Sequence, residues 1–65
     1  MIRPVNRPEP LLVSAREAAR MLSVSERTLW TLRQRGEIPA VPVMGSIRYS
    51  VDDLRSFIER QKAAQ

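Results

Sequence analysis

One short pattern occurs three times in this chain: an apolar residue, a serine, two spacers, a polar residue and another apolar residue. It appears as Val13-Ser14-x-x-Glu17-Ala18, as Val24-Ser25-x-x-Thr28-Leu29 and as Tyr49-Ser50-x-x-Asp53-Leu54. Each copy reads as a helix start. The serine hydroxyl accepts from the backbone amide three residues on. The polar residue reaches back to the serine amide, and the flanking apolar residues are placed to form a hydrophobic staple. Three such signals in 65 residues confine the chain to a mainly α fold with three helices.

Apolar spacing sets the extent of each helix. The first is expected over residues 15–22, where Ala15, Ala18, Ala19 and Leu22 fall at the i, i+3, i+4, i+7 positions of one buried face. Its small alanines let a second helix approach closely, and Arg16 and Arg20 lie off that face. Ser23-Val24 leaves room only for a tight turn. The second helix is expected over residues 26–35, with Gly36 supplying the left-handed stop. Leu29 and Leu32 form its narrow core stripe. Arg27, Thr31 and Gln34 fall opposite that stripe, and Trp30 lies on its edge. The third helix is expected over residues 51–62, with Val51, Leu54, Phe57 and Ile58 inward. Asp52 and Asp53 at its start and Arg60 and Lys62 near its end complement the helix dipole.

Residues 38–49 have another character. Ile38, Val41, Val43, Ile47 and Tyr49 are strand formers, whereas Pro39 and Pro42 exclude a helix and restrict pairing to an edge. With Gly45-Ser46 as the turn, the spacing predicts a small two-stranded β-hairpin, residues 40–44 against 46–49. With Pro4, Pro8 and Pro10, residues 1–10 are expected to be a flexible, Arg-bearing N-terminal arm, disordered or polyproline-like when unbound. The domain proper is then residues 11–62, and residues 63–65 are expected to fray.

The chain contains neither cysteine nor histidine. That removes disulfides, Cys/His zinc sites, haem ligation and any His or Cys nucleophile. Asp52 and Asp53 are no acid–base pair, because adjacent helical residues point about 100° apart. No Gly-rich phosphate loop and no metal-ligand cluster is present. The expectation is therefore a protein without enzymatic activity, cofactor, metal or small-molecule ligand. The longest apolar runs are too short to span a membrane, and the absence of cysteine fits a reducing cytoplasm. The net charge is +4, and ten of the eleven basic residues are arginine. Arginine suits bidentate contacts to phosphate and guanine; an Arg-favouring genome accounts for the same bias equally well.

Position says more than composition. The positive excess is densest over residues 25–36, where Arg27, Arg33 and Arg35 face only Glu26. Two short helices joined by a tight turn, the second with a basic outward face, read as a helix-turn-helix, whose partner is double-stranded DNA. Arg27 is the leading candidate for base or phosphate contact. Ser25 and Thr28 are candidates at the helix start, where Thr28 serves the cap, the phosphate backbone or both. Thr31 and Gln34 are candidate base-edge readers, with plain solvation as the alternative. Trp30 either packs on a sugar-phosphate edge or covers the rim of the core. Arg33 and Arg35 either hold phosphate or pair with the helix C-terminal dipole. Arg16 on the first helix and Arg48 on a strand complete the set.

The residues that carry this reading also resemble a known family. Val13, Ala18-Ala19, Leu22, Val24-Ser25, Thr28-Leu29-Trp30, Leu32, Gly36 and Ile38-Pro39-Ala40 are similar in kind and spacing to the small MerR-like winged helix-turn-helix proteins of the excisionase group. Ser46-Ile47-Arg48-Tyr49, then Asp53-Leu54 and Phe57-Ile58, resemble that group's wing and closing helix. The resemblance implies a winged helix-turn-helix of three helices plus a two-stranded wing. It implies the second helix in the major groove and the wing near the minor groove or backbone. It further implies the biology of a phage or integrative element, with an integrase as partner, neighbouring copies aligned on DNA, and bending of an attachment site. Transcriptional regulation of the element is the alternative within the family, and an antitoxin-like protein-interaction module the alternative outside it. The group commonly has a basic residue, a hydroxyl, an aromatic residue and a wing arginine where Arg27, Thr28, Trp30 and Arg48 stand. It often has Arg or Lys at the position of Pro42, Gly at that of Met44 and a basic residue at that of Ser46. This wing retains only Arg48, which shifts the load to the second helix, with the N-terminal arm as a further candidate.

Overall fold

The computed structural model describes residues 10–64. Except for exposed Pro10, the expected N-terminal arm lies outside the described residues. In chain order the elements are β1 (Leu12–Ser14), α1 (Ala15–Leu22), α2 (Glu26–Gln34), β2 (Val41–Val43), β3 (Ser46–Ser50) and α3 (Val51–Ala63). Three helices with a small sheet make the chain mainly helical, in a winged helix-turn-helix arrangement. None of the described helices is long and apolar enough to cross a membrane.

The helix starts follow from the three serines. Ser14, Ser25 and Ser50 hold extended backbone conformations, and their hydroxyls accept from the amides of Glu17 at 3.1 Å, Thr28 at 3.0 Å and Asp53 at 3.3 Å. The reach-back half of the first box is replaced: Glu17 turns along its own helix to Arg20, whose Nε donates to Glu17 Oε1 at 2.8 Å. An exposed carboxylate gains more from a charged donor one turn away than from a neutral amide.

The ends of α1 and α2 use left-handed residues. At the end of α1, Ser23 adopts φ 59, with its amide donating to Arg20 O and that of Val24 to Ala19 O, both at 3.0 Å. At the end of α2, Gly36 adopts φ 76, and the amides of Gly36 and Glu37 donate to Arg33 O and Leu32 O, both at 2.9 Å. Both are paired reverse bonds of the Schellman type. Arg35, expected as the last helical residue, is the cap of α2. Helix α3 continues through Ala63, where the expectation was an end at Lys62 and fraying beyond; the Ala64 amide donates to Arg60 O at 3.0 Å.

The sheet differs from expectation in strand number and in its turn. It has three antiparallel strands in the order β1-β3-β2, with Val13 opposite Tyr49 and Pro42 opposite Ile47. The two-stranded hairpin is present, and β1 adds a strand on the other side of β3. Ser14 and Ser50 each end a strand and cap the helix that follows, so β1 runs into α1 and β3 into α3 without a loop. The hairpin turn is Met44-Gly45, not Gly45-Ser46. Val43 pairs with Ser46, and the two residues between them have φ 47 and 87. Positive φ at both central positions matches the twist of the flanking strands. Pro42 sits on the edge strand β2, where a missing amide proton costs least.

The core joins Val13 and Tyr49 from the sheet, Ala18 and Ala19 from α1, Leu29 from α2, Val51 and Leu54 from α3, and Ile38 from the loop after α2. Ala15, Leu22, Leu32 and Phe57 pack against it partly buried. One expectation changes here: Ile58, expected inward, is 40% exposed, while Ile38, which precedes the hairpin, is fully buried. The sheet packs on α1 and α3, while α2 packs on α1 and keeps its other side open.

Candidate nucleic-acid interface

The open side of α2 is built by its own periodicity. Leu29 is buried and fixes the inward direction. At 3.6 residues per turn, Arg27, Thr31 and Gln34 lie about 140–200° around the axis from it. They form one ridge, on which Arg27 and Gln34 are exposed and Thr31 is half-buried. Trp30, about 100° from Leu29, flanks the ridge with half of its surface exposed. Indole in that position offers an apolar face and one N–H donor to whatever the ridge meets.

The hydrogen bonds sort the candidates further. Ser25 Oγ accepts from the Thr28 amide and donates to Thr28 Oγ1, both at 3.0 Å, so this hydroxyl is consumed by the cap. Thr28 Oγ1 is thereby an acceptor within the protein, and its own O–H is left to point outward from the positive end of α2. Thr31 Oγ1 donates back to the Arg27 carbonyl at 3.2 Å, which leaves it an acceptor toward any ligand.

The arginines separate in the same way. Among the described residues, Arg16, Arg27, Arg33 and Arg48 have no carboxylate within ion-pair distance, whereas Arg35 Nη2 lies 3.2 Å from Glu37 Oε2 and Arg20 pairs with Glu17. Exposed pairs of this kind contribute little, so Arg35 is partly neutralised but readily exchanged. Arg33 points about 40° from Leu29; it is half-buried beside the core and stands apart from the ridge. Arg16 is exposed on α1. Arg48 is half-buried on the sheet face that β3 shares with Ser14 of β1 and Val41 of β2, the residues paired with it on either side. The structure thus brings Arg27, Thr28, Trp30, Thr31 and Gln34 together on one helix face and leaves Arg16, Arg33 and Arg48 around it.

Two features were not legible in the sequence. Arg60 Nη2 donates to the Glu37 carbonyl at 2.7 Å, tying α3 to the loop that joins α2 to the hairpin. The partners are 23 positions apart, and no local pattern links them. The hairpin tip is apolar and open: Val43 and Ile47 are each more than a third exposed, and Met44 is fully exposed.

A family model described as a helix-turn-helix domain matches residues 12–62, a span that opens on β1 and ends within α3. No curated protein and no solved structure matches the chain.

Proposed function

The chain belongs to the helix-turn-helix domain family, which makes DNA its indicated partner, and on that premise we propose that it is an architectural DNA-binding protein of the excisionase type. The observation that carries the DNA reading is the ridge of α2. Arg27, Thr31 and Gln34 stand opposite buried Leu29, on a helix whose outer side is exposed among the described residues. In this reading α2 lies in the major groove, Arg27 and Gln34 meet base edges, and Thr28 and Trp30 meet the backbone. Arg48, Arg16 and Arg33 add phosphate contacts at its margins. The protein has no catalytic role. It acts in the cytoplasm, on the nucleoid when bound.

The architectural role is supported by size. One module of this kind buries about 600–1,000 Å² on DNA, and with roughly 4–6 phosphate contacts its affinity at physiological salt is modest. Several copies on adjacent repeats raise the effective affinity without a larger protomer. Bending the site then places the arms of an attachment sequence for an integrase, which is directed toward excision. Footprinting on the DNA flanking the coding gene, at two protein concentrations, tests site, repeat spacing and cooperativity together. An excision assay with the accompanying integrase, run beside a promoter reporter, tests the role. A response of the reporter alone replaces excision with transcriptional control. Absence of salt-dependent binding to any specific duplex replaces both with a protein-interaction role.

A further inference from the structure

Resting on the DNA-binding reading, we propose that the hairpin tip is a minor-groove wedge and that the Met44 side chain is the group that enters a base step and kinks the duplex. Residues 38–47 contain no charged side chain. The tip itself therefore carries no charge; the hairpin's cation, Arg48, stands on β3, back from the turn. Its tip is apolar, with Val43 39%, Ile47 38% and Met44 100% exposed.

Met44 is the more telling residue because of its backbone. It holds φ 47 at the first central position of the turn, a conformation that glycine or asparagine adopts with less strain. The methionine weakens the turn and, being fully exposed, packs against none of the described residues. Folding gives no reason for it; a ligand does. The tip also stands on a fixed base. Ile38 is fully buried, and Arg60 holds the Glu37 carbonyl, so the hairpin starts from a set position beside the C-terminal end of α2. In the proposed docking, a wing held there is the element available to the groove next to the one α2 would occupy.

The chemistry of that groove matches the tip. Apolar side chains that enter it partly unstack a base step and kink the duplex toward the major groove. Methionine is unbranched, flexible and polarizable, which suits it to a narrow gap between stacked bases. Pyrimidine–purine steps unstack most readily, so the occupant is duplex DNA with a TA or CA/TG step under the wing. A second protein is the competing occupant of an apolar tip. It is disfavoured by area, since a stable protein interface needs about 800 Å² per partner and the hairpin end presents only Met44 at the turn, with Val43 and Ile47 on opposite faces behind it.

The test uses the full chain and a duplex bearing the footprinted site, with fluorophores at its ends and 2-aminopurine at the step under the wing. Parent protein is expected to shorten the end-to-end distance and raise the 2-aminopurine signal. Met44→Gly relieves the turn, so its melting midpoint should equal or exceed the parent's. It should bind with the same salt dependence yet lose most of the bend and the 2-aminopurine response, and Met44→Leu should retain both. A Met44→Gly complex that is bent and unstacked like the parent's overturns the wedge. So does a variant that changes only the occupancy of adjacent sites, which assigns the tip to contact between copies. Loss of all specific duplex binding by the parent overturns the DNA reading and the wedge together, an outcome distinct from a duplex that is bound but straight.

Discussion

Gly36 holds a place that no other residue type fills without strain. Its φ of 76 ends α2 and turns the chain toward Ile38, and a Cβ added there meets no atom within 4 Å. The cost of Gly36→Ala is therefore all backbone, about 1–2 kcal/mol, read as a lowered melting midpoint with native circular dichroism. Glu17 gives a pH-dependent term. Its hydrogen bond from Arg20, more than their charge attraction, holds its carboxyl below the ordinary 4.5. A depressed value stabilises the fold above the unfolded pKa, and that contribution is lost as the pH falls through the folded value. Both side chains are exposed, so the effect is small. Glu17→Gln should flatten the acid limb of a pH–melting profile, and an unchanged limb removes the pair from the stability of α1. Arg27→Ala should weaken specific DNA binding by about 1–3 kcal/mol with an unchanged melting curve; unaltered affinity removes Arg27 from the interface. The capping serines, Gly36 and Arg27 were legible because their reasons are local. The Glu17–Arg20 pairing was not, because two local partners compete for one carboxylate.

At the scale of elements, α2 is anchored by one residue more than by two. Leu29 is 1% exposed, whereas Leu32 is only partly buried. Leu29→Ala should cost about 2–5 kcal/mol, enough to unfold a domain of this size, and Leu32→Ala clearly less. Equal losses in urea melts contradict this division. Helical periodicity places both leucines on one stripe but does not say which one the alanine face of α1 covers. Ile58 shows the same limit. Its spacing on α3 is inward, yet it is 40% exposed. Strand β1 was illegible for another reason: three residues carry no alternation, and Leu12-Val13-Ser14 read only as the approach to a cap. Its strand character comes from pairing with Ser50, Tyr49 and Arg48. The turn was misplaced by one residue because Gly45 serves equally as the first or second central position until the pairing of Val43 with Ser46 decides.

At the scale of the whole molecule, the positive charge sets how the protein meets DNA. Each phosphate neutralised contributes a slope of about −0.9 in log affinity against log salt. With about 4–6 such contacts, raising the salt should weaken binding steeply, and a shallow slope contradicts the phosphate-contact count. With no histidine or cysteine in the chain, no side chain of the type that titrates near neutrality is present, so affinity should stay level through that range.

The amino-acid order by itself determined where three helices begin, where α2 stops and which of its residues oppose its leucines. These are matters of hydrogen bonds three or four residues long and of a 3.6-residue period, and both are written in consecutive positions. Only the tertiary structure decided that β1 joins the sheet, that Ile38 is core while Ile58 is surface, and that Arg60 secures the base of the hairpin. Each of these depends on which surfaces remain uncovered after helices and strands have packed, and that depends on residues far apart in the chain.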